Sequence, residues 1–173
     1  MRKVRFIFYA LVVSGSVQAQ SPPAPKQALA DFLMEYMQAR YPRAGLDGDL
    51  LYISVQRQRL FHVRNGKLLS EYMISTSCNG LSGAQDSYCT PTGLHRVQEK
   101  IGGALPAWSI IRERIPTNEI ADSSNAGNGD VITSRILWLS GLEDGVNAGG
   151  NVDSFERAIY IHGTADERSL GPC

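Results

Sequence analysis

Leu50-Leu51-Tyr52-Ile53-Ser54-Val55, then Arg59-Leu60-Phe61-His62-Val63-Arg64, then Lys67 through Thr76 are the three runs that decide the fold. In the first, Leu51, Ile53 and Val55 recur at every second position, the period of a strand with one face covered. Gln56-Arg57-Gln58 turns the chain, and the second run comes back with Leu60 and Phe61. Asn65-Gly66 then joins the second run to the third. Both residues of such a two-residue hairpin turn need positive φ, which asparagine and glycine tolerate best. Three consecutive antiparallel strands make a meander, which argues against a parallel βαβ winding.

Downstream, the same texture continues. Cys78 through Cys89 is a polar loop with Gly80, Gly83 and Asp86. Thr90-Pro91-Thr92-Gly93 reads as a turn, Leu94–Glu99 as a strand, and Gly102-Gly103 with Pro106 as a break. Trp108–Arg112 and Val131–Leu139 read as further strands, the second closing at Ser140-Gly141. Pro116 to Asp130, rich in Asn, Gly and Ser, reads as loop. Asp144-Gly145 and Gly149-Gly150 are turn signals ahead of a last strand.

Upstream, Leu29, Phe32, Leu33, Tyr36 and Met37 form one apolar stripe at helical spacing, so Lys26–Arg40 is expected to be a helix ended by Tyr41-Pro42. Its polar face has too little lysine and arginine for a membrane-surface helix. Ser21-Pro22-Pro23-Ala24-Pro25 is a stiff spacer. Before it, Met1-Arg2-Lys3-Val4-Arg5 is basic, Phe6–Val13 is apolar, and Val17-Gln18-Ala19 is a small-x-small site, the three parts of a secretory signal cleaved after Ala19. An uncleaved anchor is the rival reading. The organisation expected is a signal peptide over 1–19, a spacer and helix over 20–47, and one catalytic-type domain over 48–173. The 173 residues suit one such domain, and 43% hydrophobic content is ample for its core. The 17 basic and 17 acidic side chains cancel, which leaves no electrostatic footprint for nucleic acid. No stretch after the signal is long and apolar enough to span a bilayer.

Chemistry concentrates in Arg157-Ala158-Ile159-Tyr160-Ile161-His162-Gly163-Thr164. Alternation puts Ile159 and Ile161 on one face and Ala158, Tyr160 and His162 on the other. Gly163 is read as the point where the strand stops and turns. An imidazole is thus held by a rigid element beside room for a substrate, a good place for a general base. The alternative is a strand-end histidine that packs against Tyr160. His62 and His95 read as ordinary strand residues. With no CxxC, no HExxH and no histidine pair at i, i+4, the spacings argue against a metal site, and no cofactor motif is present. Two readings of Cys78 and Cys89 stand: a disulfide closing one short loop, worth ~2–3 kcal/mol, or two half-buried thiols.

The run from Arg135 to Gly171, with Ile161-His162-Gly163-Thr164 and Leu170-Gly171 as its most specific parts, resembles the L,D-transpeptidase catalytic domain (the YkuD family) of bacterial cell-wall enzymes. Tyr72–Thr76 and Thr90-Pro91-Thr92-Gly93 resemble the strand before that family's variable loop and its threonine-proline-x-glycine turn. The resemblance implies a mostly β, sandwich- or barrel-like body, here with an N-terminal helix, in an exported protein of the periplasm or cell envelope. It implies that His162 is the catalytic histidine and that the carbonyl of Gly163 helps hold its ring. Peptidoglycan stem peptides would be the partners, with a cysteine forming a thioester and an acceptor amine completing the cross-link. L,D-carboxypeptidase or hydrolase action, or an inactive wall-peptide-binding domain, are the other functions the same fold would allow. The family's nucleophile belongs to a serine-histidine-glycine-cysteine motif downstream, and the chain reaches Cys173 before any such motif. The expectation is that the natural chain continues. Cys173, eleven residues after His162, is the weaker candidate nucleophile, because a terminal residue is loosely held.

Overall fold

The computed structural model describes residues 25–45, 48–122 and 131–172. The expected signal and most of the proline spacer, residues 46–47 and 123–130 and Cys173 lie outside these. Two antiparallel sheets and one helix make the fold, and among the described residues no helix is long and apolar enough to cross a membrane.

The first sheet is the meander, β1 (Asp49–Ser54), β2 (Arg59–Arg64) and β3 (Lys67–Met73), in sequence order. Asn65 at φ 49° and Gly66 at φ 72° form its hairpin turn, as the two-residue connection requires. Alternation gives the sheet two different faces. Val63 is fully buried with Leu50 and Leu68 against Ala30 and Leu33 of α1 (Pro25–Arg40). Leu51, Ile53 and Leu60 point to the opposite side.

The helix meets the sheet on a narrower line than its stripe suggests. Ala30, Leu33 and Met37 are buried, whereas Phe32 and Tyr36 of the expected stripe are 62% and 47% exposed. The small side chain of Ala30 lets the helix axis approach the sheet closely, and that rotates the bulkier Phe32 and Tyr36 outward. Gln27 secures the first turn by donating from Nε2 to the carbonyl of Gly66, at 2.9 Å.

The second sheet is organised around its longest strand, β7 (Ile132–Gly141). β4 (His95–Ile101) and β5 (Ser109–Arg112) pair with one edge of it, and β8 (Tyr160–Thr164) with the other. β6 (Ile115–Ile120) pairs with β5. Residues 116–120, expected as part of a loop, are therefore strand. Pro116 and the polar Thr117-Asn118-Glu119 hide it from a propensity argument, but an outer strand is where proline and solvated side chains are tolerated. The core of this sheet is Ile110, Ile111, Ile136 and Leu139. Leu137, Leu139, Ile159 and Ile161 line a cleft together with Leu51, Ile53 and Leu60 of the first sheet. Two sheets facing each other across apolar side chains make the expected β-sandwich.

Candidate active site

His162 lies in β8, half-buried, directly opposite Ile136 of β7. Its Nδ1 is 3.0 Å from the carbonyl oxygen of Gly163. A carbonyl only accepts, so Nδ1 carries the proton and donates it, and Nε2 is left as the basic nitrogen. His162 is among the residues that line the cleft, with Thr133, Ser134, Gly163 and Thr164.

Gly163 does not end the strand, as its neighbourhood in the sequence suggests; β8 runs on through Thr164. Its lack of a side chain answers a crowding problem. A Cβ there would stand 2.7 Å from the carbonyl oxygen of Thr133 and 3.0 Å from its hydroxyl. That closeness arises where β7 is irregular. Thr133 faces Gly163 and Ile136 faces His162, so Ser134 and Arg135 bulge out of the ladder between them. Ser134 sits at φ 62°. The bulge is pinned from both sides: Arg135 donates to the carbonyls of Ser134 at 2.6 Å and Leu105 at 2.7 Å, and the Trp108 amide donates to Ser134 Oγ at 2.9 Å. Bulges of this kind re-aim side chains beside functional sites.

A second polar cluster sits behind the Thr90–Gly93 turn. Asn147, fully buried, donates from Nδ2 to the carbonyls of Thr92 (2.9 Å) and Leu94 (3.1 Å) and accepts from the Glu143 amide at 2.9 Å. The Glu143 carboxylate accepts from the Leu94 amide at 2.6 Å and from the Tyr41 hydroxyl at 3.0 Å. Gly93, at φ 94°, would drive a Cβ to 2.3 Å from Glu143 Oε1. The turn, the segment after β7 and the end of α1 are thereby tied at one point. Sequence reasoning saw only the turn signals here and missed Glu143 and Asn147, whose roles depend on contacts about fifty residues or more apart.

His95, at the head of β4, belongs to the same cluster. Its Nδ1 lies 3.0 Å from the Gly93 carbonyl and its Nε2 2.8 Å from the hydroxyl of the fully buried Ser154. By the same logic Nδ1 donates, and Ser154 donates to Nε2. Burial holds the His95 pKa below the ordinary imidazole value of 6.5, against the raising effects of the Gly93 carbonyl and Glu143. The unfolded chain therefore binds this proton first, so stability is complete above about pH 6.5 and declines as pH falls from there toward the depressed value. Urea midpoints taken at pH 7 and pH 5 should show that decline, and His95→Gln should reduce it. An equal decline in the variant would assign the effect elsewhere.

The cysteines do not pair as one of the two sequence readings had it. Cys89 is a free thiol, so it forms no bridge to Cys78. The loop between them is held without that bridge. Arg157 donates to the Cys89 carbonyl at 3.0 Å and reaches the Ser82 carbonyl and Ser87 hydroxyl, and Leu81 bridges Thr90. Cys89 Sγ is 3.2 Å from the carbonyl of Asn79. His62 pairs with Asp49, as an ordinary sheet residue does. Beyond His162, Ser75 and Gly171 exchange two hydrogen bonds, of 3.0 and 2.9 Å, which attach the segment after β8 to the exit of β3.

Set against known proteins, the chain finds no match among curated proteins or solved structures. A family model does match, that of the L,D-transpeptidase catalytic domain (YkuD), over residues 48–172. The match spans both sheets, the Thr90–Gly93 turn and the His162 strand, so this chain belongs to the L,D-transpeptidase catalytic domain family.

Proposed function

We propose that the protein is exported and acts on peptidoglycan stem peptides as an L,D-transpeptidase. The observation that carries this reading is His162, its ring oriented through Nδ1 by the Gly163 carbonyl, among the residues that line the cleft of the matched domain. The basic, apolar and small-x-small N-terminus supports export.

In this reading Nε2 of His162 takes the proton of a cysteine thiol, and the thiolate attacks the carbonyl that precedes the terminal D-alanine of a tetrapeptide stem. The imidazolium returns the proton to the departing amine, leaving a thioester. The amine of a second stem attacks that thioester, loses its proton to the imidazole and releases the sulfur. The family places the nucleophile in a serine-histidine-glycine-cysteine segment downstream of His162, with Cys173 the weaker candidate. An imidazole held through Nδ1 suits both proton transfers, because one nitrogen is fixed while the other cycles.

Incubation of the natural protein with a disaccharide tetrapeptide tests the reading by mass. The expected product is a cross-linked dimer lacking one D-alanine. Tripeptide alone would assign water as the acceptor and make the protein a carboxypeptidase. Unchanged substrate would overturn both.

A further inference from the structure

The face of the second sheet that carries His162 also carries a fixed cation. Ile136 pairs with His162 and Trp138 pairs with Tyr160, so Tyr160 and His162 are successive residues on one side of β8. The turn between β5 and β6 has both of its residues, Glu113 and Arg114, at positive φ, 49° and 69°. The Arg114 guanidinium lies over the Trp138 ring, 4.7 Å from its centre, and donates to the Tyr160 hydroxyl at 3.1 Å. Trp138 is itself immobilised. Phe155 stacks on it at 4.1 Å and 12°, Tyr160 meets it edge-on at 5.6 Å, and its Nε1 donates to the Phe155 carbonyl at 3.0 Å.

Arg114 is anchored by aromatic groups, not by a carboxylate. Arg40, Arg59, Arg64, Arg112 and Arg168 each pair with a carboxylate. Among the described residues Arg114 pairs with none, although Glu113 and Glu99 are near enough to favour its charge. An exposed arginine normally costs rotamer entropy when it grips a ligand, and here an aromatic stack and a phenol have already removed most of that freedom. Only one of its five N–H donors is used by Tyr160, so the fork retains donors for a planar acceptor.

We infer that Arg114 is a specificity-determining residue that binds a carboxylate of the stem peptide while His162 serves the neighbouring carbonyl. This inference rests on the wall-peptide reading above. The spacing suits it: two residues along a strand advance about 6.6 Å, and an extended peptide advances about 3.3–3.6 Å per residue. A carboxylate one or two residues from the scissile carbonyl therefore reaches the Tyr160 position when that carbonyl is at His162. A terminal D-alanine carboxylate or a side-chain carboxylate on the adjoining residue meets that condition.

The test compares equilibrium binding of two probes, a tetrapeptide stem with free carboxylates and the same peptide fully amidated, by calorimetry on the natural protein and three variants. The free acid should bind wild type tenfold or more tighter than the amide. Arg114→Gln should abolish that difference while leaving the amide affinity unchanged. Arg114→Lys, which keeps the charge and the fold but loses the fork, should fall between. Arg112→Gln, which removes a cation of the same hairpin already paired with Glu119, should behave as wild type. Equal affinities for acid and amide in wild type, or an undiminished preference in Arg114→Gln, would overturn the carboxylate role and leave the transpeptidase reading standing. Failure of wild type to bind either peptide would overturn both.

Discussion

His162→Ala is expected to reduce thioester formation, followed as acylation by a carbapenem in mass spectra, by 10²–10⁴-fold at neutral pH, the range a positioned general base contributes. Without the imidazole, reaction depends on the small fraction of thiol that ionises unaided, since a free cysteine has a pKa near 8.5. That origin predicts a second signature. The residual rate of the variant should climb about tenfold per pH unit between pH 6.5 and 8, while the wild-type rate changes far less. The ring is half-buried, so the substitution should leave the fold in place. Undiminished acylation, or a variant with the flat pH profile of wild type, would remove His162 from the chemistry.

Gly163→Ala should cost nearly as much activity through a different route. The added methyl carbon would stand 2.7 Å from the backbone oxygen of Thr133, an atom that cannot swing aside as a side chain does. β8 must then move away from β7, and the Gly163 carbonyl that orients the His162 ring moves with it. Overpacking of this kind typically costs about 1–3 kcal/mol of stability, and an ångström of displacement at a catalytic group can cost 10²-fold in rate. The expectation is a folded protein, with a lower urea midpoint, in which kcat falls by two orders of magnitude or more. A nitrogen-15 spectrum should show His162 no longer held in a single tautomer. Thr133→Ala would remove the hydroxyl but not the backbone oxygen and should not rescue it. Wild-type activity in Gly163→Ala would mean the ring is oriented by something other than its neighbouring carbonyl.

Both variants bear on a contrast between two kinds of residue. The place of His162 on a strand was legible in the sequence because its signal is local: alternation through Ile159-Tyr160-Ile161, then an imidazole, then glycine. Asn65-Gly66 was legible for the same reason, since the turn's demand for positive φ falls on those two residues and no others. The reason for Gly163 was not legible, because what it avoids is Thr133, thirty residues earlier in the chain. The β7 bulge is equally hidden. Nothing in Val131 through Ile136 announces that Ser134 will leave the ladder, and only the arrival of Arg135, Trp108 and β8 around it makes that conformation stable.

Local spacing in the chain was therefore enough to read the meander, the helix and the strand that carries the imidazole, while the resemblance of its motifs to a known family, which the family match bears out, came beside that reading. The tertiary structure alone decided which line of α1 is buried, that residues 115–120 form an outer strand, that Cys78 does not bond Cys89, and that Glu143, Asn147, His95 and Ser154 converge behind one turn. It also decided that Arg114 comes to rest on the face of His162. Backbone periodicity is a property of consecutive residues, so a sequence displays it. Crowding, hydrogen-bond partners and shared faces are set by residues brought together from distant parts of the chain, and those exist only after the sheets have formed.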